Sequence, residues 1–131
     1  MLPVLPETPV SKAQPHWFAV RTAGGQMIDL TPIHLLLNRI LETYHPEEVW
    51  LFGSRARGDA RPWSDWDLLV ILPDDAEDDQ LEPLLAWRLQ KSSGVYADVI
   101  PCRLTEFHES EGVVNTIAYA AAKEGVRIYG R

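Results

Sequence analysis

The sequence holds a single cysteine, Cys102, which excludes an internal disulfide and a cysteine-based zinc site and fits a reducing compartment. It also lacks any apolar run near the ~18 residues that a bilayer-spanning helix needs. The opening stretch, MLPVLPETPVSKAQP, has no basic segment followed by an apolar one, so no secretory leader is expected and a cytoplasmic setting follows. Positive charge is scarce as well: 12 Lys and Arg face 19 Asp and Glu, for a net charge of −7. That balance argues against a surface that grips a long nucleic-acid backbone, and it leaves small nucleotides open. At 131 residues the chain has the size of one domain, so a large substrate has to be met by one surface.

What is present is ordered. Pro3, Pro6, Pro9 and Pro15 mark residues 1–15 as an extended segment, leaving 16–131 as the folded domain. Two short β-like runs, Trp17 to Arg21 and Gln26 to Leu30, flank Ala23-Gly24-Gly25 and predict an N-terminal hairpin. Thr31-Pro32 reads as a cap with a first-turn proline, ahead of a helix whose stripe is Ile33, Leu36, Leu37, Ile40, Leu41 and Tyr44. Strands are expected at Val49 to Phe52, from Asp65 to Leu72, at Val95 to Ile100 and at Val126 to Tyr129. Between them lies a helix with Leu81, Leu84, Leu85 and Leu89 on one side and Pro83 in its first turn, where an interior proline would cost about 3 kcal/mol. Cys102 to Ser110 reads as irregular, and a last helix is expected from about Glu111 to Glu124, with Val113, Val114, Ile117, Ala118 and Ala121 as its apolar face and Gly125 as its stop. The order implies an α/β or α+β fold in which helices pack on one mixed β-sheet.

The chemistry concentrates in Val49 to Leu72, VWLFGSRARGDARPWSDWDLLVIL. Gly53 ends one strand and lets backbone N–H groups approach a ligand without an intervening Cβ, while Ser54 opens the short SRAR segment and can donate to a phosphate oxygen. By itself Gly-Ser after a strand is also a plain turn. Asp65 and Asp67 stand two apart on the next strand, so their carboxylates share a face, near enough to serve one divalent cation. Asp98 interrupts an otherwise apolar strand. Arg55 and Arg57 read equally as solvated charge or as phosphate contacts, and Trp63 as loop packing or a stacking surface. His16, His34, His45 and His108 have no metal-ligand spacing.

GSRARG, a ten-residue spacer, SDWDLLV and a later lone Asp together resemble the nucleotidyltransferase superfamily with the DNA polymerase β-type palm, and most of all its minimal, stand-alone members. The likeness covers about Ile33 to Gly130; Trp66 departs from it, since a smaller aliphatic residue more often separates the two aspartates. The resemblance implies a single-domain palm in which Gly53 and Ser54 bind the triphosphate, with Arg55 and Arg57 beside them as the candidate further cofactor contacts. Asp65, Asp67 and Asp98 would be catalytic and hold Mg2+, as a pair of ions, with ATP as substrate. It further implies that a hydroxyl attacks the α-phosphate, the usual acceptor of such stand-alone domains being a tyrosine on a partner HEPN ribonuclease toxin, which makes the chain an antitoxin. A small-molecule acceptor such as an aminoglycoside and a purely binding antitoxin are the alternatives. Direct contact with long nucleic acid or with a membrane is not implied.

Overall fold

The computed structural model describes residues 19–22 and 24–130. The proline-rich segment at 1–15, Trp17 and Ala23 lie outside the described residues. The expected hairpin is represented by β1 (Ala19–Arg21) and β2 (Met27–Asp29), paired antiparallel with Val20 opposite Ile28.

The main sheet is four-stranded and mixed, in the order β5-β4-β3-β6. Its strands are β3 (Glu48–Phe52), β4 (Trp66–Leu72), β5 (Ala97–Arg103) and β6 (Val126–Gly130). β3 runs antiparallel to β4 and β6, whereas β4 and β5 are parallel and joined by a crossover through α3 (Pro83–Gln90). The near-continuous apolar run of β4 has its cause in this layout, because both faces of the strand are covered. Leu68, Val70 and Leu72 pack toward α1 (His34–Tyr44) and Ala86, in one core with Leu36, Leu37 and Ile40. Leu69 and Ile71 pack the other way, with Phe52, against Phe107 of α4 (Leu104–Ser110) and Ala118 and Ala121 of α5 (Ile117–Glu124). Trp66 is buried among the α1-side residues, on the face away from Asp67, so the larger side chain between the aspartates is absorbed by the core.

Four expectations need correction. Thr31 does not cap α1: Thr31–Ile33 is a separate 3-10 turn whose first N–H is taken by Asp29 Oδ1 at 2.9 Å, and the α-helix begins at His34. Leu84 does not share the buried side of α3; it is exposed, and Ala86, Leu85 and Leu89 meet the core instead. Cys102 to Ser110 is regular. β5 continues through Arg103, with Pro101 tolerated because β5 is an edge strand, and α4 follows at once. The first turn of α4 is satisfied from far away in sequence, since Asp74 Oδ1 accepts the Thr105 N–H at 2.9 Å, which no local pattern announces. Finally, α5 starts at Ile117, not near Glu111, because Thr116 is its N-cap and accepts the Tyr119 N–H at 3.1 Å, leaving Val113 and Val114 exposed in the preceding turn.

Tyr44 ends α1 with its ring buried and its hydroxyl without a hydrogen-bond partner among the described residues, and burial pushes that phenol up to about 12. Tyr44→Phe is therefore expected to raise stability by about 1 kcal/mol, since an unsatisfied buried hydroxyl costs ~1–3 kcal/mol. Urea unfolding of the two proteins measures it.

Candidate active site

The three strands β3, β4 and β5 bring the singled-out residues to one end of the sheet. Phe52, the last residue of β3, is opposite Asp67, and Asp67 is in turn the register partner of Asp98 on β5. Asp65 immediately precedes β4 and lies on the same side as Asp67 by strand alternation. Gly53 follows Phe52 with φ of 74°, and the Asp67 carboxylate occupies the space that a Cβ at Gly53 would need. Glycine is thus required twice over, by the backbone angle and by the carboxylate resting on it. From Gly53 the chain enters α2 (Ser54–Arg57), with Gly53 as an N-cap that offers no side chain to the backbone N–H groups of Ser54 and Arg55. Those donors and the Ser54 hydroxyl stand at the carboxylate end of the sheet, where an anionic group can be held.

The electrostatics are those of an under-neutralised acid cluster. Asp65 and Asp98 are exposed, while Asp67 is half-buried. Burial pushes the Asp67 carboxyl above its ordinary value, the charges of Asp98 and Asp65 push it further, and Arg57 opposes them. Among the described residues no group of three acidic, imidazole or thiol side chains closes into a metal cage. The donor set nevertheless fits Mg2+: hard carboxylate oxygens, one of them carrying an unfavourable like-charge field, with coordination left over for phosphate. Magnesium is commonly held through one or two carboxylates plus substrate phosphates rather than by an all-protein cage.

The two arginines are both engaged by the protein. Arg55 donates from Nη2 to the Ser64 carbonyl at 2.9 Å and to the Pro62 carbonyl at 3.3 Å, and its guanidinium lies 4.6 Å from the Trp66 ring centroid. It ties the loop that delivers Asp65 to the root of β4. Arg55→Ala is expected to cost about 1–2 kcal/mol of stability, and Arg55→Lys to recover little of it, because an ammonium cannot keep both the fork and the stacking. Chemical denaturation of the two variants checks this. Arg57 pairs with Glu124 of α5 at 2.8 Å and with Asp59 at 3.3 Å, on an exposed surface. Its charge reaches Asp67, so it stands beside the cluster even though its hydrogen bonds are spent elsewhere.

A family model of the nucleotidyltransferase domain matches residues 34–122, more than half of the chain. The chain belongs to this family. Its match takes in α1, the Gly53-Ser54 turn, the aspartates and α5 up to residue 122, leaving out the N-terminal hairpin. No curated protein sequence matches this nucleotidyltransferase. Two solved structures overlap with it: a candidate nucleotidyltransferase from Sulfolobus solfataricus (22% identity, 73% of this chain and 75% of that one, TM-score 0.48) and a toxin-antitoxin complex with AMP-PNP (22% identity, 73% and 72%, TM-score 0.46).

Sequence reasoning missed three residues around the nucleotidyltransferase site. Glu124, the partner of Arg57, is invisible without the fold because 67 positions separate the two. Trp87 and Tyr96 are exposed and line one open cleft together with Asp65 and Asp98. Tyr96 was within reach, since it stands two before Asp98 and so on its face; Trp87 reads only as one more apolar position of α3.

Proposed function

We propose that this nucleotidyltransferase uses Mg2+ to transfer AMP from ATP to a tyrosine hydroxyl of a partner HEPN-domain ribonuclease toxin, and that it acts in the cytoplasm as the antitoxin of that toxin. The observation that carries the catalytic half is the Asp67 carboxylate seated on Gly53, beside Asp65 and Asp98, with its charge insufficiently balanced by the protein. The acceptor half is supported by the likeness of GSRARG and SDWDLLV to minimal nucleotidyltransferases and by the net charge of −7, which suits a protein acceptor better than a polynucleotide. No helix among the described residues is long and apolar enough to cross a membrane.

In this mechanism Asp65 and Asp67 would hold Mg2+, and Asp98 would join them for a second ion. The metal, when bound, supplies charge neutralisation and alignment of the triphosphate. Gly53 and Ser54 bind phosphate oxygens through backbone N–H groups and the serine hydroxyl. Asp98, at the acceptor side, orients the attacking hydroxyl and takes its proton, while positioning and electrostatics supply most of the rate.

The test is the intact mass of the purified toxin after incubation with this protein, ATP and Mg2+. A gain of one or more AMP units is expected, and an unchanged mass refutes the assignment. Neutralisation that persists in the double variant Asp65→Ala with Asp67→Ala would show that binding alone suffices.

A further inference from the structure

Pro3, Pro6 and Pro9 of the opening stretch PVLPETP recur every third residue, and the transfer reaction makes no use of them. Polyproline II has three residues per turn, so prolines at that spacing share one edge of such a helix. Where Trp66 turns toward the α1 side, an open groove of about 350 Å³ lies at the end of the sheet. Pro32, Pro62, Trp63, Val95 and Tyr96 line it, with the Arg55 guanidinium lying against Trp66. Trp63 is 71% and Tyr96 77% exposed, so two large aromatic side chains on one groove are left to solvent by the rest of the described fold. None of the residues lining the groove is acidic, and the Arg61 guanidinium stands 5.8 Å from the Trp63 ring centroid.

We infer that this groove is the docking site of the chain's own residues 3–9, held as a polyproline II turn against Trp63 and Tyr96 with Glu7 beside the arginines. The inference is independent of the transfer reading. Three features support it. Grooves that recognise polyproline II are lined by aromatic side chains, whose flat faces receive the proline rings of a helix that has little conformational entropy left to lose. The charges match, since residues 1–9 carry one acid, Glu7, and no base, and they meet a groove with Arg55 and Arg61 at its walls. The tether also has the right length. Ala19 pairs with Asp29, three residues before Pro32 of the groove, so the start of β1 stands within about 16 Å of the groove wall, while residues 10–18 span up to about 28 Å in polyproline II. A short tether gives an effective concentration of about 1 mM, at which a segment with an intrinsic Kd of about 100 μM is docked about ten times as often as not.

The test is NMR of the isotope-labelled full chain, compared with a triple variant carrying Pro3→Ala, Pro6→Ala and Pro9→Ala. The Trp63 indole N–H and the Val95 and Tyr96 amides are expected to shift in the variant. The Trp50 indole, packed near Phe107 on the other face of the sheet, should not move, which shows that the fold is kept. A synthetic peptide, MLPVLPETPVSKAQP, should return the shifted resonances of the variant toward their wild-type positions, and the wild-type chain should need about tenfold more of that peptide to respond, because its own segment competes. Trp63→Ala, at an exposed position, should move the Val4, Leu5 and Glu7 amides to the positions they have in the isolated peptide. Groove resonances that ignore the three proline substitutions overturn the inference. So do groove shifts that vary with protein concentration, since they would place the segment of a second copy in the groove instead of the chain's own.

Discussion

Asp67→Asn is expected to reduce nucleotidyl transfer by about 10²–10³-fold while making the metal-free protein more stable at neutral pH. The two effects have one origin. Asp67 is pushed up by burial and by Asp98 and Asp65, so the fold disfavours the ionised carboxylate that a cation and a triphosphate would need. The loss of activity takes its size from the cost of removing one preorganised electrostatic group at a reacting centre. The stability effect has a definite sign. A folded-state value above the unfolded one means that this stabilisation is complete below the ordinary value of 3.8 and is lost as pH rises through the raised value. Thermal melts of both proteins from acid to neutral pH should therefore converge at low pH and separate as pH rises, with the asparagine variant melting higher. Wild type melting higher at neutral pH without metal would show that the cluster is not under-neutralised.

Gly53→Ala should cost both stability and activity. Alanine at φ of 74° is strained by roughly 1–3 kcal/mol, and its Cβ would take the place of the Asp67 carboxylate. That carboxylate would have to move, and misplacement of a catalytic group by about 1 Å is enough to cost ~10²-fold in rate. A double-mutant cycle separates the two contributions. In an Asp67→Ala background the collision disappears and the backbone strain remains, so the stability cost of Gly53→Ala should shrink without vanishing. Equal costs in both backgrounds would mean that Gly53 serves its turn alone. kcat/KM and urea unfolding of the four proteins supply the comparison.

Much of this arrangement is legible in the sequence, for identifiable reasons. The stripe from Leu36 to Tyr44, the two-faced apolar run of β4 and the first-turn position of Pro83 are local patterns that the fold has no cause to override. The proximity of Asp65 and Asp67 follows from strand alternation. The meeting of Asp67 with Asp98 depends on the register of two strands joined by a long crossover, and was expected from resemblance. The failures share a different character. α4 is secured by Asp74 across 31 positions, α5 is shortened by the Thr116 cap, and Arg57 is paired with Glu124 across 67 positions. Each depends on a contact that exists only after folding. The arginines show the same limit: sequence places them next to Gly-Ser, and the fold directs Arg55 to the loop before β4 and Arg57 to α5.

Gly53, Asp65, Asp67 and Asp98 are expected to form a cation-dependent nucleotide site. Manganese, a paramagnetic stand-in for magnesium, tests it by residue when added at low molar ratio with ATP to the isotope-labelled protein. Line broadening is expected to centre on the amides of Gly53, Asp67 and Asp98 and to be abolished in Asp67→Asn. The acidic stretch from Asp74 to Asp79 serves as the control region. Broadening centred there, and unchanged in Asp67→Asn, would contradict the account.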